Sequence, residues 1–191
     1  MTQVDKSEAV FEDARGKRIA FLSHCVLKQN ARIATCAFTP ATVPGVVEFF
    51  IDRGIGMIQG PCPEFEILGL GRRGQIADQM LGGYEHEDGE IYDQLSVPDN
   101  RRQLTSFAES LVSKARRYLE HDFEIVAILG VAGSPACGIN VTYYEQLRPG
   151  KGAYIEEIEA ALKRAGLDIP LVEVNDLQPH ETIAQLEALG L

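Results

Sequence analysis

Four short, nearly continuous apolar runs constrain this chain more than any other feature. They are RIAFLS at 18–23, GIGMIQ at 54–59, EIVAIL at 124–129 and IPLVEV at 169–174. Runs of this length, rich in Ile and Val and without polar alternation, read as strands covered on both faces. Helical patterns lie between them. Residues 44–53 open with Pro44 and close before Gly54. In residues 98–122, Leu104, Phe107, Ala108, Leu111, Val112, Ala115, Tyr118 and Leu119 recur at helical spacing and form one apolar stripe, with Asp99 or Asn100 as the expected cap. Residues 152–165 place Ile155, Ile158 and Leu162 on one face, with Gly166 as a stop, and residues 179–189 begin with Pro179.

Strand–helix alternation implies parallel pairing with crossovers. The expected fold class is α/β, a single doubly wound, mostly parallel sheet of four to five strands, flavodoxin/Rossmann-like, with strands ordered 2-1-3-4. Residues 1–16 show no apolar period and read as a flexible N-terminal arm, leaving 17–191 as a single α/β domain. The stretch 64–97 is less regular. It reads as an active-site loop with a short helix at 75–81 and an acidic surface segment at 85–93.

The formal net charge is −10, which argues against nucleic acid as a partner. No apolar run approaches the length of a membrane span, and the polar N-terminus lacks the apolar stretch of a secretory signal. The expectation is a cytoplasmic protein, monomer or homodimer, acting on a small molecule. In that compartment four cysteines do not suggest a disulfide framework, so metal binding, catalysis or plain burial remain for them.

Three of the cysteines share one setting. Cys25, Cys62 and Cys137 each follow the carboxyl end of a predicted strand, and in open parallel sheets those ends line the edge where ligands bind. Cys62 stands in Pro61-Cys62-Pro63 and Cys137 in Ser134-Pro135-Ala136-Cys137-Gly138, where proline stiffens the loops and glycine lets backbone N–H groups turn toward an anion. Three soft thiolates suit zinc or iron–sulfur, and structural zinc normally takes four protein ligands, often as CxxC pairs, which the chain lacks. Three thiolates leave one iron of a cubane open. Cys36 has no such context and reads as a loop or core thiol.

The segments SHCVL (23–27), PCPE (61–64) and GSPACG (133–138) resemble, in order, the three blocks of the thiouracil desulfurase family, formerly a domain of unknown function. The resemblance runs from about Arg18 to Gly138. It implies a 4Fe–4S cluster on Cys25, Cys62 and Cys137, and a desulfidase activity in which the open iron takes the sulfur of a thiolated base and water restores the oxo group. Glu64 and Ser134 are the candidate assisting residues. The first block here reads Cys-Val-Leu-Lys-Gln-Asn rather than Cys-Leu-Leu-Gly, the usual Arg-Tyr-Asp is absent although Asn30 and Arg32 are near, and one glycine is missing after PCPE. These departures mark a divergent branch.

Other residues carry weaker signals. His24 adjoins Cys25, Arg72 and Arg73 suit a carbonyl or anionic group, and Tyr143 and Tyr144 suit stacking or core packing. Gly69-Leu70-Gly71-Arg72-Arg73-Gly74 matches GxGxxG, but a dinucleotide fingerprint needs a strand immediately before it, which is not read here. Two rival functions stand beside the desulfidase. One is a non-catalytic cluster or metal pocket that binds a sulfur-containing ligand or sulfide. The other is a metal-free thiol enzyme with Cys137 as nucleophile.

Overall fold

The computed structural model describes residues 13–72 and 90–191. Chain order is β1 (Arg18–Leu22), α1 (His24–Leu27), a 3-10 turn (Gln29–Ala31), α2 (Pro44–Asp52), β2 (Gly56–Gln59), α3 (Pro63–Leu68), α4 (Ile91–Ser96), α5 (Pro98–Leu119), β3 (Glu124–Val131), β4 (Val141–Tyr144), β5 (Gln146–Pro149), α6 (Ala153–Ala165), β6 (Leu171–Val174) and α7 (Pro179–Ala188). The four strands expected from the apolar runs form one sheet ordered β2-β1-β3-β6, parallel at every pairing. In the numbering of the four predicted strands that order is 2-1-3-4.

Period-two geometry splits the core. Ile19 and Phe21 of β1 join one apolar cluster with Leu104, Leu111 and Ala115 of α5 and Ile155, Ile158 and Leu162 of α6. Ala20 and Leu22, their alternates, join a second cluster with Val46, Phe49 and Phe50 of α2 and Leu186 of α7. Successive side chains of a strand point to opposite faces, so a strand apolar at every position needs a helical layer on each side. Each fully buried side chain such as Phe21 or Phe50 contributes roughly 1.5–3 kcal/mol.

Some local expectations change. Neither Asp99 nor Asn100 caps α5. Pro98 occupies the first turn, Val97 is the N-cap with no side-chain bond, and Asp99 instead pairs with Arg102 on the surface. The helix stops at Leu119, and Asp122 beyond it turns the chain at φ 61. Gly166, at φ 65, closes α6 as expected. A two-stranded antiparallel ribbon, β4–β5, follows the Cys137 segment with Glu145 at φ 57 in its turn. The irregular stretch begins and ends in helices, α3 and α4. Its expected helix at 75–81, Arg73, residues 85–89 of the acidic segment and residues 1–12 of the N-terminal arm lie outside the described residues. No helix among the described residues is long and apolar enough to cross a membrane.

Tyr154 is an exception to good pairing in the core. It is 3% exposed, packs edge-on against Phe107, and its hydroxyl has no partner among the described residues. A buried unpaired hydroxyl costs about 1–3 kcal/mol. Tyr154→Phe is therefore expected to raise stability by about 1 kcal/mol, or Tm by roughly 2–4 °C for a domain of this size. A melting scan showing a lower Tm for the variant contradicts this.

Candidate functional site

The carboxyl ends of β1, β2 and β3 open on one cavity of about 570 Å³. Cys25, Cys62 and Cys137 all line it, together with Glu64, Ser134, Arg72, His24, Tyr143 and Cys36. The three cysteines thus follow three strands that are neighbours in the sheet. Cys25 lies in α1, directly after β1. Cys62 is the N-cap of α3, where Pro63 starts the helix without needing a backbone donor. Cys137 sits in the loop between β3 and β4.

The Cys137 loop is tightly built. Ser134 Oγ accepts hydrogen bonds from the backbone N–H of Ala136 at 3.2 Å and of Cys137 at 2.9 Å. Cys137 O accepts from Val131 N at 2.8 Å. Glu173 of β6 reaches under the loop, and its Oε2 accepts from the N–H groups of Ile139, Asn140 and Val141 at 2.9, 2.7 and 3.1 Å. Glycines admit the close approach. A Cβ at Gly130 would overlap Cys137 O and the Ile139 side chain, and one at Gly152 would overlap the backbone of Ala136 and Cys137.

Glu64 stands in the first turn of α3 and is buried. Arg72 Nε donates to its Oε2 at 3.0 Å, and Ser134 Oγ donates to its Oε1 at 3.2 Å. Arg72 is fixed in turn by Gly69 O at 3.0 Å and Ala31 O at 2.8 Å. The GxGxxG match therefore has a structural use for its arginine, and the residues before it form α3 rather than a strand.

A second buried ion pair faces the first block. Arg32 pairs through Nη2 with Asp176 Oδ2, places the same nitrogen 3.5 Å from Cys25 Sγ, and donates through Nη1 to Cys36 O at 3.0 Å. His24 Nδ1 lies 3.3 Å from Gly60 O, which assigns it the donor hydrogen and leaves Nε2 buried without a partner among the described residues. Burial pushes the His24 imidazole below its usual range. Tyr143 reaches the cavity, whereas Tyr144 donates to Asp93 and lies under Arg148, a surface arrangement.

Burial pushes all the thiols up. Cys62 is pushed up to about 12, first by desolvation and then by the Glu64 charge. Cys137 is pushed well above the ordinary thiol range by desolvation and then by Cys25 and Cys62. Cys25 is raised by desolvation, which Arg32 opposes. A metal-free nucleophile needs an electropositive setting that lowers its pKa. Cys137 has the opposite, which counts against the thiol-enzyme reading. Among the described residues, no three His, Cys, Asp or Glu side chains are grouped to hold one metal ion. A cubane sets a different requirement, since each thiolate binds its own iron rather than sharing one ion. Cys62 and Cys137 are buried and Cys25 half-buried, all three are free of disulfide and line one cavity, and thiolates are the donor type an iron–sulfur cluster takes.

Sequence reasoning did not single out Glu173 and Asp176, and it noted Arg32 only as a neighbour of the first block. A usable signal existed for the first two. Glu173 is a lone charge in an apolar strand, and Asp176 follows the carboxyl end of the fourth strand, the rule that located the cysteines.

No family model matches the chain, and no solved structure matches it. Among curated proteins it is similar to the uncharacterized protein MJ0003 of Methanocaldococcus jannaschii, with 24% identity over 177 residues, covering 92% of this chain and 98% of that protein.

Proposed function

We propose that this protein is a 4Fe–4S-dependent desulfidase that converts the C=S group of a small thiolated compound, such as a thiolated nucleobase, to C=O by hydrolysis. One observation carries the reading: three cysteines from the ends of three adjacent parallel strands line one cavity with the Glu64–Ser134 pair. Cys25, Cys62 and Cys137 would hold the cluster. When bound, it supplies an iron without a protein ligand, a soft Lewis acid for a thiocarbonyl sulfur.

The chain's own residues supply the rest. Each Glu64 oxygen has one engaged lone-pair direction and one left over, so the carboxylate can accept a proton from an attacking water. Arg72 fixes its plane. Ser134 directs its proton at Glu64 and its oxygen at the Cys137 backbone N–H, so one hydroxyl links the base to the loop that carries the third thiol. Water adds to the carbon as Glu64 takes one of its protons; the second proton passes to sulfur, the C–S bond breaks to release hydrosulfide as the C=O bond forms, and Glu64 gives its proton back to solvent. The exchange is hydrolytic and needs no oxidant or reductant.

Glu64→Gln keeps the size of the side chain and one acceptor oxygen but removes the base. It is expected to lower sulfide release by about 10²–10⁴-fold with iron content unchanged. The test is anaerobic reconstitution of the full chain, iron and acid-labile sulfide analysis, and sulfide release from 2-thiouracil. Sulfide release that does not depend on iron, or failure to load iron, overturns the proposal. The non-catalytic pocket reading draws on one fact, that both Glu64 oxygens are already engaged; iron loading without release of sulfide from any thiolated base would favour it.

A further inference from the structure

The Arg32–Asp176 pair leaves one atom over. Asp176 follows β6, its side chain is 4% exposed, and it lines the cavity. Oδ2 is held by Arg32, whereas Oδ1 is buried and has no hydrogen-bond partner among the described residues. Desolvation pushes this carboxyl up; Arg32 opposes it most, and the nearby Gln29 amide opposes it less without reaching hydrogen-bond geometry to Oδ1. The Gln29 amide nitrogen donates to Cys25 O at 2.9 Å.

Buried polar atoms are paired in nearly all native structures, because leaving one unpaired costs its desolvation. An unpaired carboxylate oxygen on a residue that lines a cavity is thus an acceptor for something that enters. Its place narrows the choice. Arg32 Nη2 touches both Asp176 Oδ2 and Cys25 Sγ, so Oδ1 lies one guanidinium away from the thiol wall. A ligand whose sulfur meets that wall brings the atoms beside its C=S group toward Asp176.

We propose that Asp176 Oδ1 is the specificity-determining acceptor of this cavity and that it takes an N–H donor carried next to the ligand's C=S or C=O group. Ligands of the thioamide or thiolactam type, with a free ring or chain N–H, fit this acceptor. N-alkylated and carboxylate-bearing compounds do not, the latter because they set a like charge against a buried carboxylate. The inference rests on the desulfidase reading for the sulfur end, but the N–H end stands on Asp176 itself.

The test uses the anaerobically reconstituted full chain and isothermal titration with four probes: 2-thiouracil, uracil and the 1,3-dimethyl derivative of each. Uracil and dimethyluracil carry no sulfur, so they report N–H recognition without turnover. The N–H forms are expected to bind about 10²-fold tighter or better than the dimethyl forms, since a site built for a donor rejects the analogue lacking it. In Asp176→Asn, Arg32 keeps the amide oxygen and the NH₂ group turns to the cavity, a donor where an acceptor stood. The preference should vanish while iron content stays unchanged. Asp176→Glu, which retains the charge opposite Arg32 and moves the free oxygen by one methylene, should cut the preference at least about tenfold and serves if the asparagine variant does not fold. Equal affinity for N–H and dimethyl forms, a preference that survives in both variants, or no binding of any probe overturns the proposal. Sulfide release without N–H preference removes the role of Asp176 alone. Preference for uracil over dimethyluracil without any sulfide release removes the desulfidase reading alone.

Discussion

Replacing Cys137 by alanine is expected to take the reconstituted protein from about four iron ions per chain, the content of one cubane, to less than about one. Sulfide release from 2-thiouracil should fall to the level of buffer. Two thiolates remain in the variant, and they belong to segments after different strands, so neither can move to cover the lost position. The fold should survive. The loop is held by Ser134, Glu173 and two glycine contacts, none of which uses the sulfur. Stability of the metal-free variant should stay within about 1 kcal/mol of wild type. Cys36→Ala is the internal control. Cys36 also lines the cavity, but it follows no strand end, and its removal should leave iron unchanged. Normal loading of the Cys137 variant, or loss of iron in the Cys36 variant, would sink the ligand assignment.

Arg32→Met is expected to cost about 3–5 kcal/mol, the usual penalty for stripping one partner from a buried ion pair. Its side chain is 11% exposed and that of Asp176 4%, so little solvent is at hand to take over. For a chain of this length the melting temperature should drop by roughly 6–20 °C at pH 7. The deficit should shrink in acid. Burial already raises the Asp176 carboxyl above its unfolded value, and without Arg32 nothing large opposes that. A group raised in the folded state contributes its full stability below the unfolded pKa and loses it as pH rises through the folded one. The variant should therefore be closest to wild type toward pH 4 and furthest above neutrality. A pH-independent deficit would show that packing, not charge, is what Arg32 supplies.

Much of the architecture was legible because it depends on short-range pattern. The apolar runs gave strands, the helical stripe of Leu104 to Leu119 gave α5, and strand ends gave the edge where the cysteines meet. The ribbon β4–β5 was not legible. Its turn residue is Glu145 rather than an Asn-Gly or Asp-Gly pair, and a lone hairpin carries no longer rhythm to expose it. Glu64 and Ser134 could be named, but not their mutual hydrogen bond or the arginine that holds Glu64. Arg32 and Asp176 lie near opposite ends of the chain, and only the assembled sheet brings β6 beside β3. Partners of that kind leave no local signature.

The Cys137 loop touches its supports where Gly130 and Gly152 present bare backbone. Descendants of this chain cannot adjust that wall by small steps, since even one added methyl group displaces the thiol. Elsewhere in the lining, Phe38 and Leu177 are exposed and have room for change. Diversification toward new ligands would then run through such exposed positions, with the Cys137 loop inherited intact.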